Sequence, residues 1–175
     1  LAVENSSLML TGRTHNVAAQ PTTLGKRFAN TAEELINAYH KANHLLNNFP
    51  LRGLKGPVGT QQDLLDLFEG DNEKVRLIES RVAETLGFDE VLDSVGQVYP
   101  RSMDFEVVST LVQISSAPAN FSKTVRLMAG HNLVSEGFQQ GQVGSSAMPH
   151  KTNTRTSERI NGLSLVLKGY LSMLA

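Results

Sequence analysis

An all-α fold, built as a bundle of long helices, is predicted by three features of the sequence. Apolar residues step by three and four through residues 24–48, 101–129 and 156–175, which is the stripe of an amphipathic helix. Residues that start and stop helices stand at the edges of these stretches. No run of alternating β-branched residues bounded by turn signals occurs, and there is no internal repeat or low-complexity tract. At 175 residues, 40% of them apolar, the chain is expected to form one domain without a second core.

Taken in order, Leu1–Leu10 reads as the tail of a helix. The apolar run LSLVLKGYLSMLA reaches Ala175, so both ends are expected to cut through helices, as in a fragment. Thr11, Gly12 and Thr14 then interrupt helix, Pro21 forbids its continuation, and the Thr22–Thr23 pair supplies an N-cap for the helix beginning at Leu24. His15 therefore sits in or beside a loop, where a lone histidine is by pattern alone a structural or surface group.

From Leu24 to Asn48, Phe28, Ala32, Leu35, Ile36, Tyr39, Ala42, Leu45 and Leu46 form one stripe, on a helix about 35 Å long. His40 and His44 have a spacing that suits a metal, but no carboxylate lies between them as in HExxH, so no metal is expected. Pro50 ends the helix. GLKGPVGT comes next with three glycines but no GK[ST], which favours a tight turn over a phosphate cradle. Gln61–Phe68 and Asp71–Leu86 read as shorter helices, the second started by Asp71 or Asn72 and closed by Gly87. Gln97, within GQVYPR in the connector 88–100, reads by itself as a turn amide. Beyond Arg101 helical spacing holds through Pro118, predicting one long kinked helix with apolar or small residues on nearly every face, as expected of a helix buried in a bundle or subunit interface. A connector rich in glycine and glutamine, residues 130–143, is expected to be mobile. The last helix begins near Thr154–Thr156 with Glu158 in its first turn, where an acid complements the helix dipole.

Several function classes are excluded at this level. The formal net charge is −1 and the sixteen basic residues are scattered, so the footprint of a nucleic-acid binder is missing. No cysteine is present, and no apolar run is long enough to span a membrane. The chain is expected to be soluble and cytoplasmic.

Between two predicted helices lies GSSAMPHKTN, residues 144–153. Gly144 and Pro149 break regular structure, while Ser145, Ser146, His150, Lys151 and Asn153 supply hydroxyls, a cation and an amide able to surround an anion. The order GSSxMPxKxN resembles the signature loop of the fumarase/aspartase superfamily, and GSSAMPHK is similar to the form found in the adenylosuccinate lyase family. About 130 residues upstream, Thr14-His15 with Gln20, Pro21, Thr22, Thr23 and Gly25 resembles the superfamily's histidine-bearing segment. Val17 stands where many relatives have glutamine, and Thr154 where many have proline.

The resemblance spans essentially the whole chain and implies that residues 1–175 form a central helical domain carrying the loop 144–153, with the family's amino- and carboxy-terminal domains absent. It implies a carbon–nitrogen lyase of purine biosynthesis that eliminates fumarate from adenylosuccinate to give AMP, and from the succinylated aminoimidazole carboxamide ribotide. By resemblance Ser145 is the base, His15 the general acid, and Glu158 the carboxylate that holds the histidine. Lys151 and Asn153 stabilise the charge that develops, while Thr14, Gln97 and Arg159 contact substrate. No cofactor and no metal are implied. The expected partners are a small-molecule substrate and further copies in a homotetramer whose active sites draw on three subunits. Alternatives are another lyase of the superfamily, such as an argininosuccinate lyase, or a helical assembly module without catalysis.

Overall fold

A computed structural model describes residues 1–148 and 150–175; the expected break at Pro149 lies outside the described residues. The element order is β1 (Met9–Thr14), β2 (Val17–Thr23), α1 (Leu24–Asn48), α2 (Gln62–Leu67), α3 (Asn72–Leu86), α4 (Ser102–Gly130) and α5 (Arg155–Leu174). The chain divides into two compact units, one of residues 1–40 and 109–175, the other of residues 41–108. Helices dominate, and the predicted bounds of α1 and α3 coincide with the observed ones to within a residue.

The expectation of an all-α chain is corrected by an antiparallel hairpin. β1 pairs β2 from Met9 opposite Thr23 to Thr14 opposite Val17, with an irregularity between Thr11 and Arg13. Gly12 and Pro21, which the sequence presents as helix breakers, lie inside the strands. A two-stranded ribbon has only edge strands, so Pro21 can sit opposite Thr11 although it lacks an N–H. His15 and Asn16 both have left-handed backbone, at φ 49° and 65°, which is the geometry of a two-residue turn whose twist matches that of the strands. Residues 2–7 are likewise a series of turns instead of a helix tail. These turns serve the start of α1: the Leu24 N–H donates to Leu8 O at 2.9 Å and the Gly25 N–H to Asn5 O at 2.9 Å. Thr23 Oγ1 accepts from the Lys26 N–H at 3.0 Å, the cap that the sequence predicts.

Within the first unit, Phe28 of α1 stacks against Phe121 of α4 with ring centroids 5.6 Å apart, and Asn120 Nδ2 donates to the Glu34 carboxylate at 2.9 and 3.1 Å. α4 runs unbroken through Pro118 and buries Ala117, Ala119 and Ser122; α5 buries Ser157 and Ser164. The Ser115 and Ser164 hydroxyls lie 3.3 Å apart, so the two helices meet through small side chains. Their large apolar residues point elsewhere: Leu163, Leu165 and Met173 of α5 are 61%, 67% and 79% exposed.

The second unit is organised around a buried ion pair. Lys55 Nζ lies 2.7 Å from Glu79 Oε2, with both side chains almost fully enclosed. Glu79 also accepts from the Leu54 N–H at 2.9 Å and from Gln61 Nε2 at 3.3 Å. The three glycines of residues 53–59 all have positive φ, as a tight turn requires. A Cβ on Gly59 would collide with the Val95 carbonyl, so only glycine lets these two loops pass so closely. α3 begins at Asp71, whose side chain accepts from the Glu73 and Lys74 N–H groups, and ends at the left-handed Gly87. The hydrogen bond from the Lys74 backbone, with the Lys74 ammonium alongside, holds the Asp71 carboxyl below its usual range.

Candidate functional site

The candidate residues of the first unit fall on two elements. Thr14 and His15 occupy the tip of the β1–β2 hairpin and are exposed. The turn is braced by Arg13, whose Nη1 donates to the Asn16 carbonyl at 2.9 Å. Ser145, Lys151, Asn153, Glu158 and Arg159 lie on the loop 144–153 and the first turn of α5.

That loop is closed by one of its own side chains. Asn153 Nδ2 donates to the Gly144 carbonyl, joining the two ends, and a Cβ on Gly144 would run into the Lys151 carbonyl. Ser145 is half-buried, its Oγ accepting from the Met148 N–H at 3.2 Å, whereas Ser146 is exposed. The Lys151 N–H donates to Met148 O at 3.0 Å, and its exposed ammonium has no ion-pair partner among the described residues. Asn153, which the sequence suggests as a donor to developing charge, spends one N–H on loop closure and retains the other.

One connection was not legible in the sequence. Glu136, in the connector before the loop, accepts from the Thr156 N–H at 3.0 Å, the Ser157 N–H at 2.9 Å and Ser157 Oγ at 2.7 Å. Its carboxylate thus fills the positive N-terminal end of α5 from twenty residues away and ties the connector before the loop to the helix after it. Burial raises the Glu136 carboxyl, but the donors from Ser157 and Thr156 outweigh it and leave the group below its usual value. A capping box would have placed an acid within the first turn, so the local spacing carried no signal for this cap. Glu158 stands in that first turn but pairs with Arg155, at 3.8 Å on an exposed surface.

Not all predicted partners meet within one chain. Among the described residues, no hydrogen bond or ion pair joins His15 to Glu158, Ser145 or Lys151. Gln97 belongs to the second unit, where it is exposed in the connector before α4. No group of three or more metal-ligating side chains occurs among the described residues. His44 Nδ1 instead lies 3.2 Å from Asn48 Nδ2. No helix of the described residues is long and apolar enough to cross a membrane.

Long helices with a hairpin-borne Thr-His and a serine loop leading into the last helix define a class, and the family comparison names it. A family model described as Lyase matches residues 1–169, and the chain belongs to that lyase family. Among curated proteins it is 39% identical over 163 residues to the adenylosuccinate lyase of Saccharomyces cerevisiae, covering 93% of this chain and 34% of that protein. It is 36% identical to the adenylosuccinate lyase of Schistosoma mansoni, over 95% of this chain and 35% of that one. The adenylosuccinate lyase of Archaeoglobus fulgidus is 32% identical, over 97% of this chain and 37% of its own length. The chain therefore spans about a third of the length of these relatives. The fold is shared with 3-carboxy-cis,cis-muconate lactonizing enzyme from Pseudomonas putida, with a TM-score of 0.79 at 24% identity, over 98% of this chain and 37% of that one.

Proposed function

We propose that this chain carries the helical core and serine loop of an adenylosuccinate lyase, which eliminates fumarate from adenylosuccinate to give AMP and acts likewise on the succinylated aminoimidazole carboxamide ribotide. The observation that carries the reading is the closed loop 144–153, with Ser145 half-buried and the Lys151 ammonium unpaired among the described residues, in a chain 39% identical to a yeast adenylosuccinate lyase.

The chemistry accounts for the residue types. Ser145, as alkoxide, removes a proton from the carbon next to a carboxylate; the electron pair forms the new double bond as the carbon–nitrogen bond breaks, and fumarate departs. Negative charge builds on that carboxylate in the transition state, where fixed donors and a cation are most effective, and Lys151, Asn153 and the loop N–H groups supply them. A nearby ammonium also favours the serine alkoxide. The departing nitrogen takes its proton from His15, and Glu158 fixes the tautomer of that histidine. Thr14, Gln97 and Arg159 hold the substrate. No cofactor is needed for any of these proton transfers.

Because no hydrogen bond or ion pair joins His15 and Glu158 among the described residues, they meet between copies in this reading. The exposed apolar faces of α1, α4 and α5 supply the surfaces for a homotetramer. In this reading residues 1–175 by themselves are inactive, because they span about a third of the relatives' length and the substrate-binding shell draws on more than that third.

The test is fumarate release from adenylosuccinate by the complete polypeptide. His15→Ala is expected to lower kcat at least about 100-fold, and Glu158→Gln less. Wild-type turnover unaffected by either change would remove the assignment.

A further inference from the structure

We propose that Arg52 is a positioning residue for Gln97, holding the backbone of an otherwise irregular connector so that the Gln97 amide is presented to substrate from a fixed place. The proposal rests on the reading of Gln97 as a substrate contact.

Gln97 lies on neither helix nor strand, is exposed, and its amide makes no hydrogen bond among the described residues. Such a side chain is an effective ligand-binding group only when its backbone is held, because otherwise binding must also order the connector. The structure holds it on both flanks. On the amino-terminal side, Arg52 Nη2 donates to the Gly96 carbonyl at 2.6 Å and to the Gly56 carbonyl at 2.9 Å, while Nη1 reaches Gly53 O at 3.3 Å. One guanidinium thus bridges three carbonyls on two segments about forty residues apart. Its base is fixed as well: the Leu51 N–H donates to Glu90 O and the Leu92 N–H to Leu51 O, both at 2.8 Å. The glycine turn it grips is set in place by Glu79, which binds Lys55 Nζ, the Leu54 N–H and Gln61 Nε2.

On the carboxy-terminal side, Tyr99 Oη donates to Asp104 Oδ1 at 2.8 Å in the first turn of α4, and Arg101 Nη1 lies 3.2 Å from Asp104 Oδ2. The Arg101 guanidinium also covers the Tyr99 ring, 5.4 Å from its centroid. Between the two clamps only Gln97 and Val98 are left without side-chain anchors among the described residues. Arginine suits the first clamp because a planar fork of five donors can serve several carbonyls together; a lysine ammonium at the end of a flexible stem cannot reproduce that geometry.

The experiment compares Arg52→Ala, Arg52→Lys, Gln97→Ala and the Arg52→Ala/Gln97→Ala pair. Backbone amide order parameters of Gly96 and Gln97, measured by nuclear magnetic resonance on the 175-residue chain, are expected to fall from about 0.85 to below about 0.6 in Arg52→Ala while those of α3 stay unchanged. In the complete polypeptide, Arg52→Ala and Gln97→Ala are each expected to raise KM for adenylosuccinate about tenfold with kcat changed less than about threefold, and the double variant to be no worse than Gln97→Ala alone. Arg52→Lys restores little of either property. Unchanged order parameters at 96 and 97, or KM penalties that multiply in the double variant, would overturn the proposal. If Gln97→Ala leaves KM unchanged while the order parameters still fall, the substrate role of Gln97 is wrong and the clamp stands as a structural device only. Should Arg52→Ala fail to fold, Arg52→Lys is read by the same two measurements and the same outcomes decide.

Discussion

Ser145 and Ser146 are adjacent, yet their surroundings differ. Ser145 is half-buried and engaged by the Met148 N–H within the closed loop, while Ser146 faces solvent. If Ser145 is the base, Ser145→Ala abolishes elimination and leaves substrate affinity nearly unchanged, because the hydroxyl acts in the transition state more than in the ground state. Ser146→Ala is then nearly silent. Single-turnover kinetics with a separate binding titration check this, and a larger loss from Ser146→Ala would reverse the assignment.

Glu136 yields a prediction about pH. Its folded-state carboxyl lies below the ordinary value of 4.5, so the latch it makes with Thr156 and Ser157 is fully present above that value and is lost as pH falls through the lower, folded one. Acidification below about pH 4.5 is therefore expected to speed hydrogen exchange at the Thr156 and Ser157 amides before the rest of α5 responds. Glu136→Gln removes the pH dependence, since an amide does not titrate in this range. Amide exchange that stays uniform along α5 in acid would show that the latch contributes nothing.

The helices differ in how their ends are set. α1 relies on Thr23, whose hydroxyl accepts from Lys26, and on the carbonyls of Leu8 and Asn5. Thr23→Ala should cost about 1 kcal/mol, measured as a shift of the denaturant midpoint without a change of slope. α5 has no such local device: Thr154 precedes it without a side-chain cap, and the cap arrives from Glu136. The turn between α1 and α2 is organised by the buried Lys55–Glu79 pair. Glu79→Ala leaves the Lys55 ammonium enclosed without its partner, which should destabilise this region by about 3 kcal/mol or more. A double change to apolar residues of similar volume is expected to be far milder, and equilibrium denaturation distinguishes the two.

Considered as a whole, the chain exposes far more large apolar side chains than it buries. Ala38, Val75, Ala83, Ala117, Ala119 and Met128 make up its buried hydrophobic set among the described residues, whereas Tyr39, Leu163, Leu165, Tyr170 and Met173 all stand open. Single exposed apolar residues are ordinary, but repeated ones along three long helices mark surfaces that bind something. The 175-residue chain is therefore predicted to self-associate through α1, α4 and α5 and to release no fumarate from adenylosuccinate. Light scattering at micromolar concentration and an absorbance assay check the two halves separately. A stable monomer would contradict the first, and measurable turnover the second.

The long helices, several of their caps and the residues of the serine loop are legible from residue order alone, because these signals pass between residues a few positions apart. The step of three and four placed α1, α4 and α5; Thr23, Asp71 and Gly87 marked their own boundaries. The order GSSAMPHK pointed to the lyase family without any geometry. The hairpin, the Glu136 latch, the Arg52 bridge and the Lys55–Glu79 pair emerge only in the folded chain. Gly12 and Pro21 read as breakers until pairing showed that a ribbon of two edge strands tolerates both. Glu136 and Ser157 are 21 residues apart, Lys55 and Glu79 are 24, and Arg52 and Gly96 are 44. Helical period and cap spacing are fixed by the backbone within about a turn, whereas these partners become neighbours only when the chain folds back on itself. The contacts that hold the candidate residues in place are therefore not written in local spacing, even though the candidate residues themselves are.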